Sequence, residues 1–159
     1  MHRTNARNWL GSVFAAVAAA FCASTASAQS DGGLYIAGAG FSFQTAAERA
    51  LSQNAGPNRF FLLTLPPETA ALSSTAPAAL AALRHRVAKS NGVLLVCQRD
   101  IANGSINPAN LTAGVVAVRG WPPSGSNELP DGQRYFRGEN PADLPAADEA
   151  LRRLRSTCS

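Results

Sequence analysis

Cys97 is the residue of this sequence best placed to do chemistry. It closes the apolar run 93–96 and is followed by Gln98 and Arg99. A cysteine between a strand and a helix N-terminus feels the positive end of the helix dipole, and Arg99 adds a cation. Both favour the thiolate. The position predicts a nucleophilic or sulfur-carrying Cys97 with Arg99 as its support. A buried structural cysteine is the alternative, because free cysteine is among the most buried residue types.

Cys158 offers Cys97 a partner. In an oxidising compartment an even pair of cysteines suggests a disulfide, which here would close a loop of about sixty residues and contribute roughly 3–4 kcal/mol. Alternatively, the polar ending 156–159 is a mobile tail on which Cys158 serves as a resolving cysteine for an oxidised or persulfidated Cys97. The sequence leaves both roles open.

Other site types have weaker support. His85, Cys97 and Cys158 follow one another at spacings of 12 and 61 residues. These spacings do not match a zinc pattern, so no metal is expected. The turn 38–40 fails as a dinucleotide fingerprint because Phe43 stands where the third glycine belongs, so no cofactor is expected. His85 is predicted on a polar helix face far from Cys97, which removes the basis for a cysteine–histidine pair.

Residues 1–28 are typical of an export signal. Arg3 and Arg7 precede an uncharged apolar run over 9–22, and Ala28 ends a small-x-small pattern that predicts cleavage after it. The run has fourteen residues, short of the ~20 that span a bilayer, so no membrane association is expected after cleavage. The working protein is therefore predicted in the periplasm or outside the cell.

The predicted mature chain, residues 29–159, is long enough for one domain with a single core. Without Arg3 and Arg7 it carries 12 basic residues (14 − 2) against 10 acidic ones, a net charge of +2. The arginines at 152, 153 and 155 are interpreted as a solvated helix face, with no aromatic residues interleaved. Nucleic-acid binding is therefore not expected.

Strand-like and helix-like segments alternate along the mature chain, which predicts an α/β domain with a mostly parallel sheet of four or five strands. The predicted strands cover 34–39, 60–65, 93–97 and 115–118, with a short edge strand at 134–137. The predicted helices cover 44–53, a segment capped by Thr75, 98–104 and 146–155. The carboxyl ends of the first three strands open into the loops 38–42, 64–68 and 97–100. Ligand sites gather at such strand ends, so Cys97 is expected in a crevice and not in the core.

The segment 87–118 resembles the DsrE/DsrF-like family of small sulfur-relay proteins. The matching pieces are Asn91-Gly92-Val93, Val96-Cys97-Gln98, the stretch from Ile106 to Leu111, and Gly114-Val115-Val116. The resemblance is looser back to Leu34, and 121–159 forms a divergent C-terminal extension. The resemblance to this family implies a flavodoxin-like three-layer fold, a homo-oligomer, a persulfide carried on Cys97, and a sulfur donor or acceptor protein as partner.

Two functions follow from these observations. The first is an exported sulfur-handling or thiol-redox protein, such as a sulfurtransferase or sulfur carrier, that works through Cys97. The second is a non-catalytic binding or assembly module in which Cys97 and Cys158 form a structural disulfide. The two functions differ in one measurable property, the redox state of the two sulfurs.

Overall fold

The structure of this protein, a computed structural model, describes residues 33–127 and 134–159. The predicted export signal, 1–28, lies outside the described residues. The described chain is an α/β domain with one four-stranded sheet. Its strands are all parallel and follow chain order, β1 (Leu34–Ala37), β2 (Phe60–Thr64), β3 (Gly92–Cys97) and β4 (Val115–Val118).

The two central strands are buried on both faces. Every residue of β2 is buried, as is every residue of β3 after Gly92. This matches their near-continuous apolar sequences, which parallel sheets covered on both sides require. Gly92 is needed at its position because a Cβ there would come within 2.6 Å of the Phe60 ring and 2.5 Å of Val87. The register pairs Leu62 with Leu94 and fixes the strand ends.

Helices cover the sheet in three layers. Helix α1 (Phe43–Gln53) and helix α2 (Ala78–Lys89) pack on one face, together with the connection from β3 to β4, which contains the short helix α3 (Gln98–Ala102). Helix α4 (Asp148–Cys158) packs on the opposite face. Short 3₁₀ turns lie at Glu68–Leu72, Pro108–Asn110 and Pro141–Asp143. Right-handed crossovers between strands in sequential order place all their connections on one face, so the second face is left for α4.

Helix α4 begins and ends later than the sequence predicts. It spans Asp148–Cys158 and not 146–155, so Cys158 lies in its last turn with 2% of its surface exposed. The interpretation of 156–159 as a mobile tail is therefore wrong. Leu151 and Leu154 bury the helix on the sheet, and the apolar spacing continues through Cys158 at i+4 from Leu154.

The edge strand predicted at 134–137 is wrong. The backbone N–H of Phe136 donates to the Glu139 carboxylate, and the Glu139 N–H donates to the Phe136 carbonyl at 3.0 Å. These bonds make a local turn. The carbonyl of Arg134 accepts a hydrogen bond from Arg155, so the segment has no backbone groups arranged for a ladder.

Two arginines on helices are buried, and one of them, Arg155, was predicted on a solvated helix face. Arg84 of α2 is 8% exposed and donates to the carbonyls of Ala71 and Ser73. Arg155 of α4 is fully buried. A guanidinium can leave water when carbonyls and carboxylates satisfy its donors, and those partners come from distant parts of the chain. No helix among 33–127 and 134–159 is long and apolar enough to cross a membrane.

Candidate functional site

Cys97 and Cys158 are joined in a disulfide. Cys97 is the last residue of β3, and Cys158 lies one layer above it in the last turn of α4, with the two Cα atoms 5.1 Å apart. The bond therefore ties the carboxyl end of a central strand to the helix that covers the second face of the sheet. Of the roles that the sequence left open for Cys158, the structure shows the disulfide partner.

Both sulfurs are shielded from solvent. Cys97 is 0% exposed and Cys158 2%, and they belong to an apolar cluster with Leu95, Val118 and Leu154. The prediction that Cys97 lies in an open crevice is wrong. The residue does stand at a strand end, but α4 lies over that end and closes it. Exchange at this bond would require an attacking thiolate to reach a buried sulfur.

Arg99 makes its hydrogen bonds with Asp100 and with the end of α4. It does not stand beside a thiolate in a crevice, as the sequence predicted. Its Nε lies 3.1 Å from an Asp100 carboxylate oxygen. Its Nη1 donates to the carbonyls of Thr157, at 3.2 Å, and Ser159. These are carbonyls at a helix C-terminus, where a cation is favourable. Arg99 and the disulfide therefore hold the same turn of α4 against the loop after β3.

Arg155 joins α4 to the segment 134–139 of the C-terminal extension and to Arg119 just after β4. Both of its terminal nitrogens bond the Glu139 carboxylate, at 2.7 and 3.1 Å, and they also donate to the carbonyls of Arg119 and Arg134. The guanidinium lies 4.6 Å from the centre of the Phe136 ring. A planar, fork-shaped donor suits such a site in a way that lysine does not. These contacts are structural and leave Arg155 no chemical role.

A groove lies along the outer edge of β1 and has a volume of about 600 Å³. Helix α1 forms one wall and helix α4 the other, and β1 forms the floor. Phe41 lies at one end with 55% of its surface exposed. The charged residues among the lining are Arg49, from α1, and Arg153, from α4. The other lining residues are apolar or neutral, namely Leu34, Tyr35, Ile36, Gly38, Ala39, Thr45, Ala46, Gln53, Leu65 and Thr157.

The second cavity lies at the opposite edge of the sheet beside β4 and is smaller, about 340 Å³. Its lining mixes cations, such as Arg119 and Arg137, with the acids Glu139 and Asp143. Glu139 is already engaged by Arg155. Because Arg155 already neutralises this carboxylate and the lining carries both signs of charge, the cavity does not favour a ligand of one charge.

Of the three loops predicted to share one site, 38–42 and 64–68 meet at the groove beside β1, where Leu65 is part of the lining, and only 97–100 is separated from them. The loop 38–42 contributes to the groove beside β1, whereas Gln98 lines the cavity beside β4 and Cys97 is buried between them. Sequence reasoning missed the groove because its walls, Arg49 and Arg153, are about a hundred residues apart. The exposed Phe41 beside a strand was the one local signal of it. Among the described residues, no group of three or more histidine, cysteine or acidic side chains is arranged to hold a metal ion.

Comparison with protein-family models, with curated proteins and with solved structures found no match to this chain. The resemblance to DsrE/DsrF-like proteins therefore stays a prediction from the residues quoted for it above. The α/β fold and the disulfide stand on the structure itself.

Proposed function

We propose that this protein is a non-catalytic binding or assembly module whose Cys97–Cys158 disulfide is structural. The observation that carries the proposal is the burial of both sulfurs, 0% and 2% exposed, beneath α4. A cysteine that accepts sulfur must present a thiolate to its donor, and a sulfur-relay role would need α4 to leave the sheet at each cycle. Structural cysteines in apolar surroundings are inert by comparison.

The proposal includes an oxidising compartment. Disulfides persist in the periplasm and outside the cell, and thiols of cytosolic proteins are kept reduced. A buried disulfide and an export signal at 1–28 are therefore consistent with each other. Sulfur transfer through Cys97, with Arg99 in support and a sulfur donor or acceptor as partner, stays a prediction from the resemblance, as does the homo-oligomer.

Counting thiols tests the proposal directly. The protein is denatured without reductant, alkylated and mapped by mass spectrometry, which separates Cys97 and Cys158 from Cys22 of the predicted signal. We expect Cys97 and Cys158 in one disulfide-linked peptide pair and unmodified by the alkylating agent. Two alkylated cysteines at these positions would contradict a structural disulfide.

Incubation with a persulfide donor is a second test of the proposal. The native protein and a reduced, denatured sample are incubated with the same low-molecular-weight persulfide, and peptide masses are compared. Added sulfur on Cys97 is expected only in the denatured sample, which shows that the reagent works. Added sulfur on Cys97 of the native protein would favour the sulfur-relay function instead.

A further inference from the structure

We infer that Asn103 is a site of spontaneous covalent modification, at which the backbone of Gly104 and a water molecule convert the side-chain amide to a carboxylate. The inference goes beyond the proposed function and does not rest on it. The sequence has two Asn-Gly pairs, Asn91-Gly92 and Asn103-Gly104. In both, the attacking backbone nitrogen belongs to glycine, which has no side chain to hinder it. The fold leaves the second pair able to react and restrains the first.

The reaction closes a succinimide ring and then opens it. The backbone nitrogen of Gly104 loses its proton and bonds to Cγ of Asn103. The Cγ–Nδ2 bond breaks, and Nδ2 takes up a proton and leaves as ammonia. Water then adds to either carbonyl of the ring. Addition at Cγ gives aspartate, and addition at the backbone carbon gives isoaspartate, in which the chain runs through the former side chain. Neither step is a redox step, and water is the co-reactant.

Asn103 lies in an exposed turn at the end of α3. It is exposed together with Gly104 and Ser105, and a Cβ on Gly104 would meet nothing within 4 Å. The backbone N–H of Ser105 donates to Oδ1 of Asn103 at 2.9 Å. This bond holds the side-chain amide alongside the Asn103–Gly104 peptide, as in other turns that begin with asparagine. It also draws electron density from Cγ, the atom that Gly104 attacks.

One hydrogen bond must open before Gly104 can attack. The Gly104 N–H donates to the carbonyl of Ile101 at 3.1 Å, at the end of a helix of five residues. Such a bond at an exposed helix end opens at little cost in free energy. Gly104 has a φ of +80°, in a region where glycine moves without steric penalty. The turn can therefore rotate the attacking nitrogen towards Cγ without disturbing the sheet.

Asn91 has the same neighbour in a restrained setting. Its side chain is exposed, but Gly92 is the first residue of β3 and packs against the Phe60 ring, where a Cβ would come within 2.6 Å. The Asn91 carbonyl accepts from the Phe60 N–H at 3.4 Å, and its Nδ2 donates to the Pro57 carbonyl at 3.1 Å. Attack by Gly92 requires the start of a central strand to move. Openings of that kind cost far more free energy than the opening of an exposed turn.

The test follows both pairs in one sample. The oxidised full-length protein is held at mildly alkaline pH for several days and digested. Liquid chromatography and mass spectrometry then separate the amide, aspartate and isoaspartate forms of each peptide. We expect the Asn103 peptide to convert at least about tenfold faster than the Asn91 peptide. In a sample that is denatured with its disulfide reduced, both should convert at similar rates, because the two pairs have the same dipeptide sequence.

Two glycine variants identify the attacking group. Gly104→Ala places a methyl group beside the attacking nitrogen and should slow conversion at Asn103 several-fold. Gly56→Ala is the matched control, because a Cβ there also meets nothing within 4 Å, and it should leave the rate unchanged. Asn103→Asp supplies the standard for the aspartate product. A Gly104→Ala protein that merely unfolds would not retain the protection of Asn91, so the Asn91 peptide reports the fold in every sample.

Two results would overturn the inference. The first is equal conversion at Asn91 and Asn103 in the native protein, or an Asn103 that keeps its amide while the denatured sample converts. The second is a rate at Asn103 that Gly104→Ala does not change, since direct attack by water would then replace attack by Gly104. The thiol count is independent of both results and tests the proposed function alone.

Discussion

At the scale of single residues, Arg155 shows how far a side chain's role depends on its distant surroundings. Its neighbours in sequence, Arg152 and Arg153, are exposed, and nothing local distinguishes the three. Glu139 and the carbonyls that receive Arg155 lie 16 to 36 residues away along the chain. A guanidinium in such a place is held by hydrogen bonds, and removal of one partner leaves the others unsatisfied.

Arg155→Met should therefore destabilise the protein strongly. The change leaves the Glu139 carboxylate, whose side chain is 12% exposed, without its cation, and we expect a loss of about 3 kcal/mol in the free energy of unfolding. Urea denaturation measures it. Arg152→Met on the same helix is the control. Its pair with Glu149 is largely exposed, so the loss should stay below about 1 kcal/mol. Equal losses would mean that Arg155 is not a buried anchor.

The cysteines were the residues that sequence reasoning identified best. Cys97 was predicted at a strand end, and its pairing with Cys158 was one of the two roles left open. The crevice around Cys97 was not correctly predicted. The reason is that the position of α4 depends on the whole chain, whereas the end of β3 follows from the apolar pattern of 93–97 alone.

At the scale of elements, the close contact between the loop after β4 and the end of α4 limits which residues fit. A Cβ on Gly120 would lie 2.4 Å from the Cys158 carbonyl oxygen and 2.5 Å from the Ser159 Cα. Both neighbours are backbone atoms and cannot rotate away. Glycine at 120 thus lets α4 approach the sheet closely enough for its last turn to reach Cys97.

Gly120→Ala should push the end of α4 from the sheet and lower the free energy of unfolding by about 2 kcal/mol. Gly56→Ala is the matched control, because a Cβ there meets nothing within 4 Å and its backbone has no positive φ. That control should be neutral or slightly stabilising. Thermal denaturation of both variants provides the comparison, and a neutral Gly120→Ala would refute the close packing.

The edge position of β1 gives a prediction for the protein in solution. Amides of Tyr35 and Ala37 bond to β2, and those of Leu34 and Ile36 point outward. Hydrogen exchange followed by NMR should show alternating protection, with the outward pair exchanging at least about tenfold faster. Uniform protection of the four amides would mean that the edge is already covered.

Element prediction succeeded where apolar runs were long and failed where tertiary contacts decided. The strand at 115–118 and the cores of β2 and β3 were predicted correctly, since a parallel sheet buried on both faces demands continuous apolar sequence. The segment 134–137 alternates polar and aromatic residues like an edge strand. Its backbone is instead taken up by Glu139 and Arg155, which no local pattern indicates.

At the scale of the whole molecule, strand order determines where a ligand can bind. The alternation of strands and helices predicted an α/β domain with a mostly parallel sheet, and the resemblance implied three layers, but neither predicted the order of the strands. Among the described strands the order is sequential and never reverses, so this sheet has no switch point at which connections diverge to open a crevice. The first strand becomes an edge, and the groove between α1 and α4 forms beside it.

The disulfide spans 61 residues and so affects the stability of the whole domain. The double variant Cys97→Ala/Cys158→Ala should lose about 4 kcal/mol in the free energy of unfolding, because the unfolded chain regains the entropy of an open loop. Urea denaturation with and without dithiothreitol provides the measurement. The natural protein should shift to a lower midpoint with reductant, whereas the double variant should not respond. A shift of equal size in both would place the effect of the reductant elsewhere.

The placement of α4 also has a consequence for how the protein is made. During synthesis, β1 to β4 and the helices of the first face emerge before residues 148–158 do. Until then the second face of the sheet, with Phe61, Leu63 and Leu95, has no cover, and the Cys97 thiol has no partner. This face of the sheet can therefore be covered, and its cysteine paired, only after the last helix has been made, so formation of the disulfide reports that α4 has docked.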